Sequence, residues 1–535
     1  MTTGEPEMGY RTGGQVVVDS LVANGVEVVF GIPGTHSLPI YRHLRSSGIT
    51  HVTPRHEQGA GYAADGYARS SGRPGVCLVT TGPGVTNIAT AVAQAYSDSI
   101  PLLVVSPGVP FRIDGGDHGF LHEMKSQIGV TASITAWSRR VTSHQELADS
   151  LNQAFAFFAT GRARPVHIEV PLEILDQPGY VDGIWRARGA VAPPLESEIE
   201  RAAQALRSAS TRVLVLGGGA RGATDVATRL VERLQMPAMT TMNGKGVVSE
   251  RNPLSLGTAI MARAAQRYVD ECDVVLAVGT ELGDSDLWGG TLRPAGTVIR
   301  IDIDSAQLQK NLDAHIVVQA DSKLALEALE ARLVTASPTP GASSAQVARI
   351  RREIDDELAS EVAPWREMHA ELEKVLDANA IVAGDATMAC YFGTGYLLPL
   401  EGPSQWLYPT GFCTLGYGLP AAIGAKIAHP DRQVIAVMGD GGVMFTLGEL
   451  ATAAELHLAI PLVVVTNGGY GEIRREMEAL GSEPLGTDFS SPDFVMVARG
   501  LGGEGVRTTA AGLAHEAEEA FTRDRPTLIE LNYPQ

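Results

Sequence analysis

Two oxygen donors flanked by glycine, Asp440 and Asn467, stand 27 residues apart in the C-terminal part of the chain. Asp440 sits in Gly439-Asp440-Gly441-Gly442, directly after the apolar run Val434–Val437. Asn467 sits in Thr466-Asn467-Gly468-Gly469-Tyr470, after the run Leu462–Val465. A carboxylate, an amide oxygen and a loop carbonyl are hard donors of the kind Mg²⁺ takes, the rest of its octahedron being filled by phosphate and water. The glycines let the backbone approach a diphosphate closely. Each donor alone would serve equally well as a helix cap or a left-handed turn residue. With a strand–helix–strand unit between them, a metal–diphosphate site is the better reading. A third acid, Glu57, opens a run of small residues, Gly59, Ala60, Gly61, Ala63 and Ala64. There a carboxylate is at least favoured by the helix N-terminus, and the small side chains would let another subunit's surface come close.

The elements that must position these groups are legible as apolar runs. Val17, Leu21 and Val22 recur at helical spacing, Gly25 follows, and Val26–Phe30 reads as a buried strand ending at Gly31, Pro33 and Gly34. Val76–Thr80 runs into Gly82-Pro83-Gly84, and Leu102–Val105 into Ser106-Pro107-Gly108. The same grammar returns in Val213–Leu216, Val274–Val278 and Val298–Ile303, and again in Ile381–Ala383, Val434–Val437 and Leu462–Val465. Continuous apolar strands separated by helices predict parallel sheets covered on both faces. We expect an α/β protein of three doubly wound units, the middle one Rossmann-like: residues 9–175, 196–333 and 345–535. Asp176–Glu196 and Val334–Ser344 are the expected linkers. Ligands of such sheets sit at the carboxyl ends of the strands.

The 535 residues carry 44% apolar and 19% charged side chains and a formal net charge of −19. That composition is globular, and the acidic balance excludes nucleic acid as an expected partner. No run of about 18 apolar residues occurs, so no membrane span is expected. The opening residues are polar and lack a basic-then-apolar leader pattern; the first eight read as a loose tail. Cys77, Cys272, Cys390 and Cys413 lack zinc-site or redox-pair spacing. They read as buried free thiols, and the expected localisation is cytoplasmic.

Gly439-Asp440-Gly441 followed by Asn467 resembles the cofactor fingerprint of thiamine-diphosphate enzymes. The resemblance extends through Val29–Gly34, Arg55-His56-Glu57-Gln58-Gly59-Ala60, Thr81-Gly82-Pro83-Gly84-Val85-Thr86-Asn87, Ile301-Asp302-Ile303-Asp304, Gly411–Gly416 and Leu419–Ala425. It departs from the family motif at Thr466, where an asparagine is usual; Asn467 is the residue that maps onto the metal ligand. The resemblance implies thiamine diphosphate and Mg²⁺ as cofactors, with the metal held by Asp440, Asn467 and the Gly469 carbonyl. It implies a cofactor lining of Pro33, Gly34, Thr81, Asn87, Gly439, Gly441, Gly442 and Tyr470. Glu57 would hydrogen-bond the aminopyrimidine, and Leu415 would wedge the cofactor into its bent form. A homodimer, or a homotetramer built from it, is implied as the active unit, the site forming between one subunit's first unit and its neighbour's third. His122, in the loop with Asp114, Asp117 and His118, falls near a substrate-facing position of acetolactate-synthase relatives; a plain surface histidine is the other reading.

The resemblance implies a small 2-oxo acid as the substrate. Within the family, Asn467–Arg474 is similar to the 5-guanidino-2-oxopentanoate decarboxylases, whose product would be 4-guanidinobutanal with CO₂. A guanidinium tail calls for acidic partners. Glu472 and Glu476 share a helix face and are the candidates, solvated charges being the alternative, especially for Glu476. An acetolactate-synthase-type carboligase and a catalytically silent paralogue stay open as alternatives. The stretch Arg475-Glu476-Met477 lacks the aromatic residue of the carboligases. Gly279–Asp284 lacks the arginine of flavin-binding relatives, and Asn243-Gly244-Lys245-Gly246 looks like the flavin-free enzymes, so FAD is doubtful.

Overall fold

The computed structural model describes residues 9–113, 115–187, 189–333, 341–342 and 344–533. The first part carries strands β1 (Gly9–Thr12), β2 (Val28–Phe30), β3 (Thr50–Val52), β4 (Gly75–Leu78), β5 (Leu102–Gly108), β6 (Trp137–Arg140), β7 (Val166–Pro171) and β8 (Pro178–Val181). Six of them form a parallel sheet in the order β3-β2-β4-β5-β7-β6. The middle part carries β9 (Arg212–Leu216), β10 (Ala238–Thr240), β11 (Val274–Val278), β12 (Thr297–Asp302) and β13 (Ile316–Gln319), parallel in the order β10-β9-β11-β12-β13. The last part carries β14 (Ile381–Gly384), β15 (Trp406–Leu407), β16 (Val434–Gly439), β17 (Pro461–Thr466), β18 (Glu504–Thr508) and β19 (Thr527–Asn532), parallel in the order β15-β14-β16-β17-β19-β18.

The chain is thus an α/β protein of three parallel-sheet units. β4, β5, β7, β9, β11 and β17 are buried along their whole length, as sheets covered by helices on both faces require. The first and last sheets share one strand order: second, first, third, fourth, sixth, fifth. The central sheet runs second, first, third, fourth, fifth, the other common doubly wound order, which obeys the same crevice rule.

Two expectations shift. β8 lies inside the stretch read as a linker and pairs antiparallel with β1, so part of that stretch belongs to the first unit. In the helix Gly13–Ala23, Val17 and Leu21 are buried, but Val22 is exposed because it stands about 100° around the helix from Leu21. Residues 1–8, Asp114, and residues 334–340 and 343 of the second expected linker lie outside the described residues.

The outer units meet along one helix crossing. Helix Glu57–Ser71 is capped by the His56 side chain on the Gln58 N–H and ends at Gly72. Nearly all of it is buried, which its Gly, Ala and Tyr composition permits. It packs on helix Gly418–Ala428 so closely that a Cβ on Gly66 would run into the Ala421 carbonyl, and one on Gly424 into the Ala63 carbonyl. The small residues around Glu57 therefore admit this chain's own third unit.

Candidate active site

In each outer sheet the strand order turns at the gap between the first and third strands, β2/β4 and β14/β16, and the crevice beyond the strand ends lies there. β16 delivers Asp440 to that point, with its side chain buried. Its Oδ2 accepts from the backbone of Asn467 (3.2 Å) and Gly468 (2.8 Å) and from Ser491 Oγ (3.1 Å); its Oδ1 accepts from Gly441 N (2.9 Å). Gly468 has φ of +76°, which a side chain would strain. The turn it makes folds the loop back over Asp440.

The Asn467 amide, set with its nitrogen inward, donates to Asp440 Oδ1 (3.3 Å) and to the Gly469 carbonyl (2.8 Å). Turned over, its oxygen takes the same place, and three oxygens then face one another. Octahedral Mg²⁺ with bonds of about 2.0–2.1 Å sets neighbouring ligand oxygens about 2.9 Å apart. The Asn467 oxygen, 3.3 Å from Asp440 Oδ1 and 2.8 Å from the Gly469 carbonyl, then stands near that spacing from both. Among the described residues no three His, Cys, Asp or Glu side chains cluster as a metal site, so one carboxylate, one amide and one carbonyl is the set this loop offers. Tyr470 covers the loop: its ring packs on Phe489 with centroids 5.3 Å apart and fills the space a Gly441 side chain would need.

Leu415 is half-buried beside Gly442, the residue at which the Asp385 carboxylate also leaves no room for a side chain. Asp385, at the end of β14, is wholly buried and accepts from Gly416 N (3.0 Å) and Tyr417 N (3.1 Å). Burial pushes its carboxyl up to about 6, against the pull of those N–H groups. It fixes the turn that presents Leu415. The sequence reading passed over it, because its partners lie about thirty residues ahead in the chain.

The first unit holds the second group of residues. Glu57 is buried and accepts from Asn87 Nδ2 at 2.9 Å, so Asn87 acts on the carboxylate. The backbone leading into Glu57 is held from the third unit: Glu449 Oε1 accepts from Arg55 N (2.9 Å) and His56 N (3.1 Å). Pro33 and Gly34 follow β2, and Thr81 follows β4, donating to the Pro107 carbonyl at 3.0 Å. His122 joins them. Its ring meets His36 edge-on, with centroids 5.2 Å apart, and its carbonyl closes on Gly82. Among the described residues the buried Nδ1 atoms of both histidines and the buried Thr80 hydroxyl find no hydrogen-bond partner. Burial, and then the neighbouring His122, lower the pKa of His36. His36 and Thr80 were missed because nothing in the sequence places Thr35–Ser37 beside the loop at residues 120–122.

Glu472 and Glu476 part company. Glu472 is half-buried, pairs with Arg475 at 2.8 Å and interacts with the Tyr391 hydroxyl. Glu476 is exposed to solvent. Cys77, Cys272 and Cys390 are buried, whereas Cys413 is exposed, against the expectation of four buried thiols.

Sheets of this order with a carboxylate–amide–carbonyl loop at the turning point define a class. The chain matches the thiamine pyrophosphate enzyme N-terminal binding domain over residues 11–130, the central domain over 199–329 and the C-terminal binding domain over 385–531. It belongs to the thiamine pyrophosphate enzymes. It is 42% identical over 534 residues to the probable 2-ketoarginine decarboxylase of Pseudomonas aeruginosa, covering 98% of this chain and 94% of that one. It is 33% identical to the acetolactate synthase isozyme 1 large subunit of Escherichia coli, with coverage of 97% and 93%. To the probable acetolactate synthase large subunit of Methanocaldococcus jannaschii it is 32% identical, with coverage of 97% and 91%.

Proposed function

We propose that this protein decarboxylates 5-guanidino-2-oxopentanoate, the compound also called 2-ketoarginine, with thiamine diphosphate and Mg²⁺. The reading rests on the 42% identity to the decarboxylase across nearly the whole chain, set against 33% to the carboligase. The bond between the carboxylate and the carbonyl carbon breaks, CO₂ leaves, and a proton takes its place to give 4-guanidinobutanal. No oxidant is needed. Thiamine diphosphate, when bound, supplies the electron sink for that cleavage.

The chain's own residues do the rest. Asp440, Asn467 and the Gly469 carbonyl would hold Mg²⁺ against the diphosphate, and Gly439, Gly441 and Gly442 let the backbone approach it. Leu415 sets the cofactor's bend. Glu57, positioned by Asn87 and by the Glu449 clamp, would hold a proton at the aminopyrimidine. His122 with His36 would hold the proton delivered to the aldehyde carbon. Because the family resemblance sets one subunit's first unit against its neighbour's third, we take a homodimer as the minimal active species and a homotetramer as its common form, working in the cytoplasm. We assign no flavin. The central crevice is lined by Asp98, Glu281, Asp286, Asp302 and Asp321, carboxylates that would repel a second diphosphate. Of the arginines lining it, Arg162 is paired with Glu281, and Arg221 donates to the Asn243 carbonyl at 3.1 Å.

The test is product identification by mass spectrometry after incubation with both cofactors and either 5-guanidino-2-oxopentanoate or pyruvate. 4-Guanidinobutanal from the first supports the reading. Acetolactate from pyruvate alone moves the protein to the carboligases, and cofactor binding without turnover of either acid marks a silent paralogue.

A further inference from the structure

Between the central and third units lies a cavity of about 390 Å³ that none of the assigned residues uses. One wall is the turn Asp284–Gly289 of the central unit. The other is Tyr391, Tyr408 and the stretch Thr410–Cys413 of the third. That stretch ends two residues before Leu415, so the cavity opens beside the place where the cofactor's bend would be set.

Its chemistry is specific. Asp284 and Asp286 both line it, and among the described residues no Lys, Arg or His pairs with either. Among the described residues Asp286 accepts only the cap hydrogen bond from Gly283 N at 3.2 Å. The charges acting on Asp286 are further carboxylates, Asp98 and Glu281; together with burial, the largest cause, they push its carboxyl up to about 7. Tyr391 stands on the opposite wall, and Trp288, on the same turn as the two carboxylates, packs against it with ring centroids 5.3 Å apart. Independently, the Thr410 hydroxyl, on a residue only 6% exposed, lines the cavity without a hydrogen-bond partner. Carboxylates without a cation, flat aromatic walls and an unused hydroxyl are what a planar, five-donor cation would complete.

We propose that this cavity seats the guanidinium tail of the substrate, with Asp286 and Asp284 as its carboxylate partners, Trp288 and Tyr391 as its stacking faces and Thr410 as a further acceptor. The inference rests on the decarboxylase reading above, and it moves tail recognition from the exposed Glu476 to the central unit. Glu472, through the Tyr391 hydroxyl, orients one wall.

The test compares kcat/KM for 5-guanidino-2-oxopentanoate with that for 2-oxooctanoate, an acid of similar reach with an uncharged tail, in wild type, Asp286→Asn, Asp284→Asn and Trp288→Leu, each fully loaded with thiamine diphosphate and Mg²⁺. A charge-assisted hydrogen bond to the tail is worth roughly ten- to a hundredfold in this ratio. A fall of the ratio by about tenfold or more in Asp286→Asn, with a smaller fall in Trp288→Leu, supports the subsite. A smaller change in Asp286→Asn overturns it while wild-type turnover leaves the decarboxylase reading standing. No wild-type turnover of the guanidino acid sinks both. Circular dichroism and an unchanged KM for thiamine diphosphate separate loss of fold from loss of tail recognition.

Discussion

Asp385 carries a wholly buried carboxyl whose charge, among the described residues, is compensated only by backbone N–H groups. Its folded-state pKa of about 6 lies above the ordinary value of 3.8, so the folded chain binds this proton more tightly than the unfolded chain does. The stability it contributes is present below about pH 4 and is lost as pH rises through about 6. An asparagine has no such dependence. Urea unfolding of wild type and Asp385→Asn at about pH 4.5 and 6.5 should show wild type losing about 1.8 kcal/mol relative to the variant over that span. A constant difference would mean that Asp385 does not titrate there. Glu57 is the second residue to test: Glu57→Gln should keep the far-ultraviolet spectrum and lose at least about a hundredfold in kcat, the scale of one general acid–base group. Near wild-type turnover would remove Glu57 from the mechanism. Asp440, Asn467 and Glu57 were legible because glycines or a run of small residues flag them locally. Asp385, His36 and Glu449 were not, since each acts through a partner brought near only by the fold, Glu449 from 394 residues away.

At the scale of elements, the interior strands read directly from sequence. Val274–Val278 is the observed β11, and the runs read for β9, β14, β16 and β17 differ from the structure by a residue or two at their ends. Edge strands escaped: β3, β6 and β15 are short or half-exposed, and such strands carry no continuous apolar run. The helix crossing of Glu57–Ser71 on Gly418–Ala428 was legible only as composition. Small residues announced a close approach, expected from another subunit, and the structure brings this chain's own third unit there. That crossing makes a prediction. Gly424→Ala must push a methyl into the Ala63 carbonyl, and overpacking of this kind costs about 1–3 kcal/mol or more. Thermal unfolding should show the loss. Activity should fall with it, because the same crossing carries Glu57. Unchanged stability in the Gly424→Ala variant would show that the two backbones have slack.

At the scale of the molecule, the three units share one buried charge cluster. Arg69 of the first unit pairs with Asp65 (2.5 Å) and Asp98 (2.7 Å), donates to Asn243 of the central unit (2.9 Å) and to the Tyr408 carbonyl of the third (3.2 Å), while Tyr417 of the third donates to Asp65 (2.5 Å). Removing one member of a buried pair strands the other, at about 3–5 kcal/mol. Arg69→Met should therefore shift calorimetric unfolding of the whole chain; a shift confined to one of several separate transitions would show that the cluster does not couple the units. Among the described residues no helix is long and apolar enough to cross a membrane. The glycine-to-carbonyl seam between the outer units has a mechanical consequence. Backbones in contact with no side chain between them form a joint without play, and packed interiors compress little. A hinge at that seam would have to break it. Within one chain the first and last units then move as a single block, an anvil cast in one piece, and any closure over the site falls to the loops around it.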